Sequence, residues 1–357
     1  MGSTFHVLSG AHVKPPWRNV VATTDTLSFW KCVGRESIWG PRGIIKTGNL
    51  WFPLAVIIST NPSLNLKSAW FPSIILFIAA ACRTISLILA NDLTDRADDI
   101  AAGKKRWILT LRAFNAIAIV LGLIACGIGV LVLSSAPISS IGAYLIAFTL
   151  GLLHSIRPFR FKERGIMGLI SYGLHGVFAY VVVTWFWLGS EWQWLASLSA
   201  VIFFEKWVNL HFHQVIDFET DKSRACRTFA VRLGLPRARA ALQLAAACAS
   251  ISMVITLGML ICSLGVFGVI VASIGALICL AAEIHIHRAK SAGKQIPSLM
   301  QELPGHYLGL AYGVFTILPL ILLFRLTLQA TSMLLPLVIA TLTAWLISQR
   351  FIRYRYT

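Results

Sequence analysis

The chain has 357 residues, of which 57% are hydrophobic and only 13% charged, with a mean hydropathy of +0.75 and a formal net charge of +17. That balance excludes an ordinary water-soluble protein, and the 31 Lys and Arg are spread through the loops instead of forming one basic domain, which argues against nucleic acid as a partner. The seven cysteines are odd in number, lack CxxC spacing and lie mostly in apolar runs, so neither a disulfide framework nor a thiolate metal site is expected.

Residues 1–45 read as a cytoplasmic N-terminal tail without a cleavable signal, because the first strongly apolar run begins only near Leu50. From there the apolar runs have lengths of roughly 18 to 25, enough to cross a hydrocarbon core. Spans are expected near 48–60, 69–90, 108–133, 138–155, 166–189, 193–214, 240–260, 263–284, 306–327 and 332–348. Residues 46–357 therefore predict one all-α domain, a polytopic transmembrane helical bundle of nine to ten spans. The positive-inside rule gives an independent check. The tail, the loops after the even-numbered spans and the C-terminus hold 27 of the 31 Lys and Arg. Both termini are thus expected in the cytoplasm.

Only 14 residues are Asp or Glu, and six of the seven aspartates fall in two short segments, Asn91–Asp99 and Asp217–Asp221. Each follows an even-numbered span on the cytoplasmic side. On a helix Asp92, Asp95 and Asp99 share a face, as do Asp217 and Asp221. Carboxylates stacked in this way repel, so a cation should compensate them. Mg²⁺, with its hard oxygen ligands and its habit of bridging one or two carboxylates to phosphate oxygens, suits the pattern. Either segment alone reads as a solvated helix exit. The pair, in a chain otherwise poor in acid, points to a site for a diphosphate.

These residues resemble the UbiA superfamily of intramembrane prenyltransferases. Asn91 to Asp99 is similar to its NDxxDxxxD motif, and Asp217 to Asp221 to its DxxxD motif. Arg227 to Gly234 looks like the RTxxVRLG continuation, and His154 to Gly165 is similar to YSxPPxRLKxxG, with His154 where the family has Tyr. The resemblance covers roughly residues 45 to 327. It implies a UbiA-type bundle around a central cavity, in which Asp92, Asp95, Asp99, Asp217 and Asp221 hold Mg²⁺ and act catalytically. Asn91, Arg160 and Lys162 would then bind the substrate diphosphate. Three departures suggest a divergent branch: no Arg-Pro dipeptide precedes the first span, Ile100–Arg106 differs from the run that usually follows the first motif, and there is a tenth span.

The chemistry agrees with that resemblance. Ionising an allylic C–O bond needs stabilisation of the departing diphosphate, and the allylic cation needs a dry pocket with aromatic faces. Phe178, Tyr180, Trp185, Phe186 and Trp187, with Phe203, Phe204, Trp207 and Phe212, supply aromatic rings in the fifth and sixth spans. The expected activity is transfer of a prenyl group from a prenyl diphosphate to an acceptor, expected to be aromatic, within membrane lipid. The alternative is a UbiA-type terpene cyclase without an acceptor, and a further one is a non-catalytic lipid-diphosphate carrier. Among ionisable residues inside spans, Glu205 is expected to pair structurally with Arg83 or Lys206. His154, His211 and His213 are expected to be hydrogen-bonded residues near helix ends.

Overall fold

The computed structural model describes residues 47–101, 111–224, 226–292 and 302–354, and the side chains at 98, 99, 101, 312, 313 and 347–354 are not among them. The expected tail, 1–45, lies outside the described residues, as do 102–106 of the run after the first acidic motif. After a 3₁₀ turn at Gly48–Leu50 the helices are α1 (Trp51–Thr60), α2 (Leu66–Thr94), α3 (Arg96–Ala101), α4 (Ala113–Leu133), α5 (Ile138–Ser155), α6 (Ile166–Gly176) and α7 (Val183–Leu188). There follow α8 (Trp192–Ile216), α9 (Phe218–Ser223), α10 (Phe229–Leu233), α11 (Leu235–Leu264), α12 (Val266–Ser291), α13 (Gly305–Leu308), α14 (Phe315–Gln329) and α15 (Leu334–Tyr354). Two π-helical segments, Val177–Val182 and Gly309–Val314, join α6 to α7 and α13 to α14.

Helices occupy all ten expected segments, but not all ten have the dimensions of a simple span. Among the described residues six helices are long and apolar enough to cross a membrane, and Gly305–Ala311 with Phe315–Gln329, bent by 41°, makes a seventh if taken as one. Gly48–Thr60 and Thr331–Leu346 are apolar but shorter. The 25-residue α8 is long enough, yet Glu205, Lys206, Asn209, His211, His213 and Gln214 interrupt its apolar character. Of these, Glu205, Lys206, His211 and Gln214 are buried inside the bundle.

Local rules explain several helix ends. Asn65 accepts a hydrogen bond from Lys67 N at 3.0 Å and caps α2. The helix then continues to Thr94, past the expected end at 90, so the first acidic motif begins on the helix itself. α11 opens with Pro236 in its first turn, where the missing N–H costs nothing, and so starts before the expected 240.

Burial separates the inner helices from the lipid-facing ones. α1 is apolar all round and buried from Trp51 to Ile58, wedged against α14 with the Phe52 and Phe315 rings 5.0 Å apart. α4 and α12 are the opposite case, with 22% and 17% of their apolar windows buried. Phe114, Leu121, Leu133, Val266, Leu277 and Leu280 project outward from them. Apolar side chains exposed on this scale require a hydrocarbon surround, and the chain is an integral membrane protein.

At the α11–α12 turn the second helix passes so close to the first that a Cβ at Gly268 would overlap the backbone of Leu260 and Ile261. Gly268→Ala should therefore destabilise the fold by about 1–3 kcal/mol. Gly258→Ala, whose Cβ would meet no atom within 4 Å, should not. Unfolding midpoints of the two variants in one detergent check this, and equal midpoints would refute the close approach.

Candidate functional site

The first acidic motif turns at the end of α2. Asn91 and Asp92 occupy its last turn, with Asp92 buried, and Asp95 caps it, its N–H bonded to Asn91 O at 3.0 Å. Asp99 continues along α3, but its side chain lies outside the described residues.

The segment between α5 and α6, residues 156–165, folds over this motif. Lys162 Nζ donates to both Asp95 oxygens, at 2.6 and 2.7 Å, and to Asn91 Oδ1 at 3.1 Å. Arg160 Nη2 donates to Asp95 Oδ1 at 3.0 Å, and Ser155 Oγ donates to Asn91 Oδ1 at 3.0 Å. To make this contact Arg160 adopts φ 36° and ψ 57°, a left-handed conformation that costs a non-glycine residue energy and is retained where neighbours impose it. Arg160 Nε also lies 2.8 Å from Glu163 Oε1, as an ion pair. Sequence reasoning placed Arg160 and Lys162 here and passed over Glu163. The signal for it was its position three residues after Arg160 on the same loop.

The second motif repeats the geometry at the end of α8. Asp217 caps the helix, its N–H bonded to His213 O at 2.9 Å, and Asp221 N bonds back to Asp217 O at 2.8 Å. Asp217 is exposed and Asp221 half-buried. Desolvation first, then the nearby Asp217 charge, pushes the Asp221 carboxyl above the usual aspartate range, and Glu163 adds to the same effect. Glu163 therefore stands between the motifs, paired with Arg160 on one side and repelling Asp221 on the other.

The backbone closes the arrangement. Gly165 N bonds to Arg227 O at 3.1 Å, and Gly165 and Thr228 form an isolated parallel bridge. Gly165 takes φ 62°, a conformation open to glycine at little cost. One ten-residue loop thus holds the first motif by its side chains and the continuation of the second by its backbone. Beside it opens a cleft of about 960 Å³ lined by Arg157, Arg160, Arg164, Arg227 and Arg232 with Pro158, Phe159 and Glu163.

The donor set here is oxygen, from Asn91, Asp95, Asp217 and Asp221, as a hard divalent cation requires. Among the described residues no three His, Cys, Asp or Glu gather closely enough to hold a metal ion by themselves. The arrangement fits an ion held by one or two carboxylates and completed by phosphate oxygens.

Two expectations about histidine diverge. His154 Nδ1 pairs with Ser171 Oγ at 3.1 Å, as a helix-end histidine should. His211 does not: it is fully buried with neither ring nitrogen bonded, and its ring lies edge-on to Phe229 at 5.1 Å.

Lys162 and Asp95 are mostly shielded from water, so Lys162→Met should cost about 1.5–3 kcal/mol by removing the charged donor to both Asp95 oxygens and leaving Arg160 as the remaining cation on Asp95. Arg157→Met, at an exposed position on the same loop, should be near neutral. Thermal unfolding of both variants in detergent tests this, and equal losses would refute the pairing.

The profile of the UbiA prenyltransferase family matches residues 110–303, which includes the loop and the second motif and begins beyond the first. No curated protein matches the chain significantly. Among solved structures, a UbiA homologue from Archaeoglobus fulgidus bound to GPP and Mg²⁺ superimposes with a TM-score of 0.57 at 17% identity, over 80% of this chain and 98% of that one. The same homologue bound to Cd²⁺ gives a TM-score of 0.52 at 16% identity, over 85% and 98%. At such identities the likeness is one of fold. The profile carries the assignment, since it spans more than half of the sequence: the chain belongs to the UbiA prenyltransferase family.

Proposed function

We propose that this protein is a Mg²⁺-dependent intramembrane transferase that ionises a prenyl diphosphate and passes the prenyl group to an acceptor, with an aromatic ring as the expected nucleophile. The observation that carries the reading is the loop 156–165, which ties Asn91 and Asp95 to the backbone at Arg227. Membership of a prenyltransferase family supports action on prenyl diphosphates, and the A. fulgidus homologue with GPP and Mg²⁺ supports the same donor class and ion.

In this reading Asp92, Asp95, Asp99, Asp217 and Asp221 hold the ion, and Asn91, Arg160 and Lys162 bind the diphosphate. When bound, Mg²⁺ supplies Lewis-acid stabilisation of the departing diphosphate. Lys162 and Arg160 add donors aimed at the same developing charge. They are held in advance by Asp95, so little reorganisation is needed. The apolar bundle below excludes the water that would otherwise capture the allylic cation. The proposal takes residues 46–357 as one catalytic domain, counts nine to ten of the helical segments as crossing the membrane, and puts both termini and the acidic loops in the cytoplasm.

Purified protein with Mg²⁺ and geranyl, farnesyl or geranylgeranyl diphosphate should release diphosphate once an aromatic acceptor is supplied. Asp92→Asn and Asp217→Asn should each reduce that release at least a hundredfold without loss of folding. Unchanged turnover in both variants would sink the assignment. A cyclic terpene formed without any acceptor would replace the transferase by a cyclase.

A pH dependence follows from Asp221. Its carboxyl is pushed up, so it keeps its proton to higher pH than a free aspartate, and ion binding, which needs the ionised form, weakens as pH falls through that raised value. The acid limb of activity should lie above the ordinary aspartate range and move to lower pH as Mg²⁺ is raised. A limb indifferent to Mg²⁺ concentration would count against Asp221 as a ligand.

A further inference from the structure

The cleft of about 960 Å³ beside the loop gathers five guanidinium groups, from Arg157, Arg160, Arg164, Arg227 and Arg232, against one carboxylate, Glu163. Neither Lys162 nor any residue of the two acidic motifs lines it. Arg160 stands in the wall between the two spaces, with Nη2 on Asp95 and Nε on Glu163. Glu163 is thereby engaged, and among the described residues the other four arginines, all exposed, have no ion-pair partner. Two of them are held by backbone: Arg164 Nη2 donates to Pro158 O at 2.7 Å, and Arg232 Nε to Arg227 O at 3.2 Å. Arg232 also lies against Gly165, where a Cβ would come within 2.9 Å of its Cδ and 3.1 Å of its Nε. The side chains of Arg157 and Arg227 make no hydrogen bond among the described residues, so their donors are free. Arg157 stands where YSxPPxRLKxxG has its first proline, and Arg164 at one of its open positions, so these two cations are not part of that motif.

Guanidinium groups gathered in a concavity repel one another unless an anion sits among them. Each presents a planar fork that takes two oxygens at once, and a phosphate group, with three or more oxygens, can engage several forks together where a carboxylate cannot. The surroundings set the level of the cleft. Phe159 in its wall, with Ile166 and Met167 at the start of α6, are apolar and 46–47% exposed, which places the arginines where hydrocarbon gives way to water. A basic pocket at that level suits the headgroup phosphate of an anionic lipid, and a free diphosphate would meet the same donors. We infer that the cleft is a second phosphate-binding site, one that holds a phosphate group on arginine alone and without a metal ion. The inference goes beyond the transferase reading and does not depend on it.

The test is equilibrium binding to the full chain, purified in detergent with EDTA present so that any metal-dependent site is silent. The probes are dihexanoyl phosphatidic acid, with dihexanoyl phosphatidylcholine as its zwitterionic control, and inorganic diphosphate. Wild type should bind at least one of the two anions, and phosphatidic acid, if bound, about tenfold tighter than phosphatidylcholine. Arg157→Gln/Arg227→Gln, which removes two guanidiniums that hold nothing else in the fold, should weaken that binding about tenfold or more. Arg157→Gln alone should weaken it about threefold, which keeps the test open should the double variant fail to fold. Asp92→Asn/Asp217→Asn should leave it unchanged. A loss confined to phosphatidic acid assigns the site to lipid, a loss confined to diphosphate assigns it to the free anion, and a loss of both shows that the phosphate group itself is recognised. The inference is overturned if wild type binds neither anion, or binds phosphatidic acid no tighter than phosphatidylcholine and diphosphate not at all. Binding that survives the arginine variants, or that falls equally in the aspartate variant, also overturns it.

Discussion

The neutralisation of Asp95 by Lys162 and Arg160 is the interaction on which the rest of the acidic end of the bundle depends. Two helices leave the membrane with aspartates at their ends, and neither end would be stable against the other without cations between them. The loop after α5 supplies those cations, pays with a left-handed Arg160, and is itself anchored at Gly165 to the strand of backbone after the second motif. The acid of one helix pair is thereby matched by base from another. At the second motif burial first, then the Asp217 charge, raises the Asp221 carboxyl, against the opposing effects of Thr228 and Arg224.

The same logic of matched charge runs into the bundle interior and there fails to close. Glu205 satisfies Lys206 and Asn49, and Tyr180 offers its ring to both Lys206 and Arg83. Tyr180 reaches that position from a π-helical turn, whose extra residue per turn rotates the chain relative to the α-helices on either side. π-Turns of this sort accumulate at functional sites because their irregular register costs stability. A fold with a polar interior and a lipid-facing exterior must put such irregularity inside, where other groups can satisfy it.

Much of this was legible in the sequence, and the reason is periodicity. Apolar length marked all ten helical segments, and the spacing of Asp92 and Asp95, with that of Asp217 and Asp221, marked both helix exits. The His154–Gly165 stretch gave the loop with Arg160 and Lys162 in it. What the sequence did not reveal depends on which atoms meet. Glu163 belongs to the site because Arg160 turns toward it: the three-residue spacing permits the pair, and the backbone conformation makes it. Lys206 was as plausible a partner for Glu205 as Arg83 was, and only packing decided between them. His211 looked like an ordinary helix-end histidine, yet α8 turns it toward Phe229 and away from any hydrogen-bonding group. Helix ends moved by several residues where a cap such as Asn65 or a proline such as Pro236 extended the helix beyond its apolar core.

The ladder-like contact between Gly165 and Thr228 has a consequence for how this chain can vary. The loop is pinned by side chains at Arg160 and Lys162 and by backbone five and three residues later, so its length is constrained at both ends. Arg157 and Phe159 are exposed and take no part in either of these ties, so the geometry of the loop sets fewer demands on them. A single inserted or deleted residue between Lys162 and Gly165 would force the loop to abandon one motif or the other. Related chains should therefore differ in the decoration of this loop far more readily than in its count of residues.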